Sequence, residues 1–111
     1  MILQTHLLEN ALIADIQHKE ANLSNADQFK AELNGLINSG NKYVVVNFEQ
    51  VIYVDSSFLG ALVSALKLAM SKGGDIAVVG LNSDIKSLFQ LVRLDKVFRI
   101  YTNIQEALTG A

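Results

Sequence analysis

The alternation of hydrophobic and polar positions predicts that the chain opens with a β-hairpin. Two short apolar stretches, at residues 2–8 and 11–17, are predicted to be strands, although their polar residues alternate only in part. Glu9 and Asn10 lie between them, and this pair is typical of a tight hairpin turn. The first two strands are therefore expected to be antiparallel.

Apolar residues then recur at helical spacing and predict a first helix over residues 25–38. Ser24 is followed three residues later by Asp27, which resembles a capping box with an acid at its third position. Gly40 is a natural C-terminal stop. The pattern therefore predicts that the helix begins directly after Ser24.

Strands and helices alternate over the rest of the chain. The predicted strands are residues 42–48, 75–81 and "KVFRIY", and the predicted helices are residues 57–72, a helix capped by Asn82, Ser83 or Asp84, and a C-terminal helix capped by Thr102 or Asn103. The βαβ order implies parallel strands with right-handed crossovers. The expected fold is α/β: a single small domain over residues 1–111, with a mixed four- to five-stranded sheet, an antiparallel N-terminal hairpin and about four helices.

The helix predicted over residues 57–72 is apolar around most of its circumference, which is typical of a helix that is covered nearly all round. A step of about 100° per residue predicts a core face made of Leu59, Leu62, Val63, Leu66 and Met70. A second apolar flank is made of Phe58, Ala61, Ala65, Leu68 and Ala69. Either a neighbouring helix or a partner protein would cover that flank.

Composition and charge exclude several classes of function. Nine basic and eleven acidic residues give a net charge of −2, and the basic residues are scattered, so we expect no nucleic-acid binding. Without cysteine there is neither a disulfide framework nor thiolate chemistry. The start "MILQTHLLEN" does not resemble a signal peptide, and no apolar run approaches the roughly 18 residues of a membrane span. We expect a cytoplasmic protein that does not insert into membranes.

No arrangement of residues predicts catalysis or metal binding. His6 and His18 lie at different ends of the hairpin, and no cysteine or third histidine joins them. Gly73 and Gly74 lie between a helix and a strand, so they do not form a phosphate-binding loop. No spacing places a histidine beside Ser56 for serine-histidine-acid catalysis. We therefore expect no enzyme, no cofactor and no metal.

The stretch "VDSSFLG" at residues 54–60 places an acid and two hydroxyls where a strand leads into a helix. One side-chain oxygen from Asp55, Ser56 or Ser57 is enough to cap that helix. A helix N-terminus also carries about half a positive charge and free amides, which would stabilise a phosphoryl group. Two interpretations stay open: a cap alone, or a phosphorylation switch.

The stretch "VIYVDSSFLGALV" resembles the STAS domains, a family shared by sulphate transporters and anti-sigma factor antagonists. In that family Asp-Ser-(Ser or Thr)-Gly-Leu-Gly stands at a helix start. "NLSNADQFKAEL" resembles the family's first helix, and "GGDIAVVGLNSDIKSLFQLVRLDKVFRIYTNIQEAL" resembles its C-terminal half. The resemblance covers essentially the whole chain and implies an STAS-like fold. The chain departs from the pattern at Phe58, where the family usually has glycine.

This resemblance implies a protein-binding module that is controlled by phosphorylation. The unphosphorylated form would bind an anti-sigma factor of the serine-kinase type, and a serine phosphatase would reset the switch. Carried over by position, the phosphorylated residue is Ser56, with Ser57 as the alternative. The expected partner-binding residues are Asn22, Ser24, Asn25, Asp55, Ser56, Ser57, Phe58, Ala61 and Ala65. Phe58 is expected to be exposed, either crowding a kinase or anchoring a partner.

A rival function belongs to another class. STAS domains are also constitutive subunits of lipid or anion transport systems or of scaffold assemblies, and in such a subunit the serines would only cap the helix. A switch would show one removable phosphate on the protein taken from its native cell, whereas a constitutive subunit would show none. The expected oligomeric state is a monomer or a weak dimer.

Overall fold

The computed structural model describes residues 1–110, which form seven strands and four helices. The strands are β1 Leu3–Leu8, β2 Ala11–Ile16, β3 Glu20–Ala21, β4 Tyr43–Asn47, β5 Tyr53–Val54, β6 Asp75–Val79 and β7 Arg99–Tyr101. The helices are α1 Leu23–Asn38, α2 Ser56–Ser71, α3 Ser83–Leu91 and α4 Ile104–Thr109, with a 3-10 turn at Leu94–Lys96. No helix in this part of the chain is both long and apolar enough to cross a membrane.

The main sheet has five strands in the order β1-β2-β4-β6-β7. β1 is antiparallel to β2, and every other neighbouring pair is parallel. Leu8 pairs with Ala11 across the hairpin, and Glu9 takes a positive φ of 56° in the turn. This topology confirms the predicted mixed α/β sheet with an antiparallel N-terminal edge.

The two faces of the sheet carry separate apolar clusters. On one face Ala14, Val44 and Val78 belong to a large cluster that includes side chains of α1, α2 and α3. On the other face Ile13 and Val45 belong to a smaller cluster that includes side chains of the short helix α4. The three longer helices therefore cover one face of the sheet together, and α4 covers part of the other face.

The start of α1 differs from the prediction. Asn22, not Ser24, is the N-cap, and Asn25 rather than Asp27 completes the capping box. The Asn22 side chain accepts a hydrogen bond from the Ser24 amide at 3.0 Å, while the Asn22 amide donates to Oδ1 of Asn25 at 3.0 Å. Asparagine is at least as good an N-cap as serine, so the helix begins at the earlier residue.

Two strands were not predicted because each is only two residues long. β3 pairs with β5 in parallel, with Glu20 opposite Tyr53 and Ala21 opposite Val54. Two residues are too few to show an alternating pattern of side chains. This small second sheet places the segment before α1 beside the segment before α2.

Candidate functional site

The Asp55 carboxylate connects the N-termini of the two long helices. Its Oδ1 accepts a hydrogen bond from the Phe58 amide at 3.1 Å, which caps α2. Its Oδ2 accepts a hydrogen bond from the Leu23 amide at 2.9 Å, in the first turn of α1. One side chain therefore satisfies a free first-turn amide in each of two helices.

Backbone hydrogen bonds hold the same two segments together. The Asp55 amide donates to the Ala21 carbonyl at 3.0 Å, and the Ile52 amide donates to the Lys19 carbonyl at 2.7 Å. These bonds extend the β3–β5 pairing on both sides. The loop before α1 and the turn before α2 therefore form one continuous surface.

The polar residues of the α1 start lie on this surface. Ser24 Oγ donates to Oδ1 of Asn22 at 2.6 Å, and Asn25 Nδ2 donates to the Glu20 carbonyl at 2.8 Å. The structure thus brings Asn22, Ser24 and Asn25 into the same region as Asp55. We call Asn22–Asn25 together with Asp55–Ser57 the helix-start surface.

The two serines differ in exposure. Ser56 is exposed, whereas Ser57 is half-buried. Both lie in the first turn of α2, and the Asp55 side chain binds the amide of Phe58 rather than theirs. The Ser56 hydroxyl is therefore the more accessible of the two to a second protein.

Phe58 is not an exposed anchor, and that expectation was wrong. Its side chain is fully buried and stacks on Phe29 of α1 with ring centroids 4.1 Å apart. Phe48 meets the same ring edge-on at 6.4 Å. The ring that stands where the family usually has glycine fills the space between α1 and α2, so it does not cover the serines.

Ala61 and Ala65 are also buried, at 7% and 0% exposure, so neither can contact a partner in the folded chain. The second apolar flank of α2 is covered by the neighbouring helix α1, which decides between the two alternatives. The predicted core face of α2 left out these two alanines and included Met70, which is 61% exposed rather than buried. The buried residues of α2 are Phe58, Leu59, Ala61, Leu62, Ala65, Leu66 and Ala69.

Exposed apolar side chains near the helix-start surface were missed by the sequence reasoning. Leu23 is 73% exposed and directly follows the N-cap of α1. Ile52 and Tyr53 are also exposed and lie just before Asp55 in the chain. Ile52 and Tyr53 form one wall of a shallow cavity of about 220 Å³, which Ile85 and Leu88 of α3 also line. Correct placement of the α1 cap at Asn22 would have put Leu23 in the exposed first turn.

The structure is a small α/β domain with a mixed sheet, and a serine-bearing turn is exposed where its second long helix begins. The model of the STAS domain family matches residues 8–107. The chain therefore belongs to the STAS domain family.

Known relatives share most of their length with this chain. A Thermotoga neapolitana protein described as a candidate anti-sigma factor antagonist, homologous to TM1081, is 32% identical over 103 residues, covering 92% of this chain and 90% of the relative. The crystal structure of TM1081 from Thermotoga maritima, described in the same way, superposes with a TM-score of 0.88 at 27% identity, covering 97% of this chain and 92% of that one. The Bacillus cell-fate determinant SpoIIAA in its phosphorylated form shares the fold, with a TM-score of 0.72 at 17% identity and 96% coverage of both chains.

Proposed function

We propose that this protein is an anti-sigma factor antagonist that binds an anti-sigma factor of the serine-kinase type while Ser56 is unphosphorylated. The observation that carries the proposal is the exposed Ser56 hydroxyl in the first turn of α2, next to the Asp55 carboxylate. The description of the Thermotoga neapolitana relative as an anti-sigma factor antagonist supports the same role.

The proposed docking surface is the helix-start surface with its apolar neighbours. Asn22, Ser24, Asn25 and Asp55 supply polar contacts, and the exposed side chains of Leu23, Ile52 and Tyr53 supply apolar area. An interface of this kind combines an apolar centre with a polar rim. Phe58, Ala61 and Ala65 support the surface from inside the fold rather than contacting the partner.

Phosphorylation would change the charge of this surface more than its shape. A phosphoryl group on Ser56 adds about −1.5 to −2 charges beside Asp55. The N-terminus of α2 tolerates that charge, so the domain stays folded. In a desolvated interface without a matching cation the added charge is costly, and a cost of about 3 kcal/mol weakens binding more than a hundredfold. Phosphorylation would therefore release the partner.

A serine phosphatase would remove the phosphate and restore binding. In this scheme the protein itself is a binding module and not an enzyme, and the kinase activity belongs to its partner. Because the proposed partner acts on a sigma factor, the proposed place of action is the cytoplasm. Ser57 is the alternative phosphorylation site, although it is less exposed than Ser56.

The first experiment maps the phosphate. The partner is captured from native lysate on the parent protein and identified by mass, and it is then incubated with the parent protein and ATP. Fragmentation of the product should place one phosphate on Ser56. Phosphate on Ser57 alone would move the site, and a captured partner that transfers no phosphate would favour a constitutive subunit of a transport or scaffold assembly.

The second experiment measures the effect of charge on binding. Ser56→Glu should weaken binding of the captured partner by about a hundredfold, while Ser56→Ala should bind as the parent does. Ser71→Glu is the matched control, because Ser71 is also exposed but lies at the opposite end of α2 from Ser56. If both glutamate variants bind as tightly as the parent protein, the helix-start surface is not the docking site.

A further inference from the structure

The strand β1 is an edge of the main sheet without the usual protection. It pairs with β2 on one side only, whereas β7 at the opposite edge is three residues long and begins with Arg99. β1 is six residues long and contains no proline, lysine, arginine or carboxylate. Natural edge strands are normally shortened, charged or interrupted, because a free edge can pair with another strand.

The backbone of β1 presents free hydrogen-bonding groups along half of this edge. The Gln17 amide donates to the Ile2 carbonyl at 2.8 Å, so the Ile2 carbonyl points toward β2. The Leu3 amide donates to Oε1 of Glu32 at 3.0 Å. The Leu3 amide therefore points away from β2 and is already bound by a side chain of α1. Backbone direction alternates along a strand, and Thr5 and Leu7 therefore also direct their amides and carbonyls outward.

The side chains of this open half are apolar and exposed. Leu7 is 69% exposed and Leu8 is 38% exposed, and as successive strand residues they lie on opposite faces of the sheet. Leu3, at the capped end, is already buried at 4% exposure. The open backbone groups and the exposed leucines therefore occur together, at the end of β1 next to the hairpin.

We propose that β1 pairs antiparallel with β1 of a second copy of this chain, about a two-fold axis at His6. In this register Thr5 of each copy lies opposite Leu7 of the other, and the two pairs exchange four backbone hydrogen bonds. The result is a continuous sheet across both copies. A two-fold contact of this kind closes on itself and leaves no free β1 edge.

The second copy fits because β1 is complementary to itself. The two-fold register places Gln4 opposite Leu8 and His6 opposite His6, and β1 itself contains no carboxylate, lysine or arginine. A register centred on Thr5 would need the Leu3 amide, which Glu32 already binds. The contact is short, so the dimer is weak and forms at high protein concentration.

The proposed dimer leaves the helix-start surface free. Leu7 pairs with Leu12 at the start of β2, whereas α1 begins beyond the far end of that strand. The contact therefore follows the outer edge of the sheet along β1, whereas the helix-start surface lies beyond the C-terminal end of β2. Dimerisation and partner binding can each fail without the other.

Sedimentation equilibrium of the full chain tests the proposal, at about 10 µM to 1 mM protein. The parent protein should shift from monomer to dimer across this range. Thr5→Pro removes an outward amide, and Leu7→Lys places a charge on the edge, so each should weaken the dimer at least about tenfold. Leu91→Lys is the matched control, since Leu91 is 79% exposed on α3, away from β1, and this variant should dimerise as the parent does.

Hydrogen exchange on the same samples locates the contact. In the parent, the amides of Thr5 and Leu7 should exchange about tenfold more slowly at high than at low protein concentration. In Thr5→Pro, which has no amide hydrogen at position 5, the exchange rate of the Leu7 amide should not depend on protein concentration. A parent that stays monomeric throughout overturns the proposal. So does a dimer that Thr5→Pro and Leu7→Lys leave intact, or one that Leu91→Lys weakens equally, because such a dimer uses another surface.

Discussion

At the scale of single residues, Phe58 is the link between the start of α2 and the interior. Its ring is buried between Phe29 and Phe48, and no part of it reaches solvent. We predict that Phe58→Ala lowers the free energy of unfolding by about 3–5 kcal/mol, because it opens a cavity beside the Phe29 and Phe48 rings. Urea denaturation of the parent and the variant gives this difference.

Leu91→Ala is the control for Phe58→Ala, since it truncates a side chain that is exposed on α3. Its unfolding midpoint should stay close to that of the parent. Equal midpoints for the parent and Phe58→Ala would contradict the buried position of the ring.

Asp55 contributes to stability through two hydrogen bonds at once. Asp55→Ala loses the bonds from both Phe58 and Leu23, and the expected cost is about 1–3 kcal/mol. Asp55→Asn keeps one acceptor oxygen but turns an amide donor toward the other N–H group, so its stability should lie between those of the parent and Asp55→Ala.

Thermal melting of the parent, Asp55→Asn and Asp55→Ala gives this order of stability. Asp27→Asn serves as the control. Asp27 is exposed in α1 and takes no part in the Asn22 cap, so the control variant should melt as the parent does. An Asp55→Ala variant that melts with the parent would show that the bridge between the helix starts adds no stability.

At the scale of elements, α1 and α2 approach each other through small residues. Ala65 is fully buried on the side of α2 that α1 covers. We predict that Ala65→Asp destabilises the domain by more than about 3 kcal/mol, because it buries a charge without a partner. The neighbouring Ser64→Asp, at a half-buried position, should cost much less.

Circular dichroism during thermal melting distinguishes the two variants. Ala65→Asp should be largely unfolded or melt far below the parent, whereas Ser64→Asp should stay folded. A folded Ala65→Asp with a parental melting temperature would mean that α1 does not cover this side of α2.

Gly35 offers a change in the opposite direction. It lies exposed within α1, and a Cβ built there meets no atom within 4 Å. Gly35→Ala should therefore stabilise the protein by about 0.5–1 kcal/mol, since glycine loses more backbone freedom on entering a helix. An unfolding midpoint in urea that falls below the parental value would contradict this prediction.

The elements themselves were predictable where their patterns are long. The hairpin and the four helices follow directly from alternating and helical spacing, and Asp55 was among the predicted caps of α2. β3 and β5 were not predicted because two residues are too few to show a periodic pattern. The predicted orientation of α2 was wrong because the prediction placed large apolar residues at the centre of its buried face. In the structure alanines lie at that centre, and their small side chains let α1 approach.

The candidate site was predictable in part for a similar reason. The sequence motif and the family resemblance indicated Asp55, Ser56 and the Asn22–Asn25 segment, and the structure places them side by side. The sequence does not show which side of Phe58 another helix covers, because that depends on packing between segments far apart in the chain. The exposure of Phe58, Ala61 and Ala65 therefore could not be read from α2 alone.

At the scale of the whole molecule, Glu32 joins α1 to the first strand of the sheet. Its carboxylate accepts hydrogen bonds from the Ile2 and Leu3 amides. Burial acts to raise the pKa of Glu32, but these two bonds, the Gln28 side chain and the N-terminal ammonium together outweigh it, so the pKa lies below its ordinary value. The folded protein therefore favours the ionised form.

This shift predicts a dependence of stability on pH. Because the pKa is lowered on folding, the contribution of Glu32 is full above the unfolded value of about 4.5 and is lost as the pH falls through the folded value. Urea midpoints measured from about pH 7 to pH 3 should fall more steeply for the parent than for Glu32→Gln. Glu49→Gln, at an exposed position in the loop after β4, should keep the parental slope.

The order of the strands has a consequence for how the chain is made. From β1 through β2, β4 and β6 to β7, each strand of the main sheet lies next to the one synthesised before it. As the chain leaves the ribosome, every new βα unit can add to an edge that already exists, without opening pairs formed earlier. Among the helices of residues 1–110 only α4 covers the other face, so that face is completed after all five strands of the main sheet have been made.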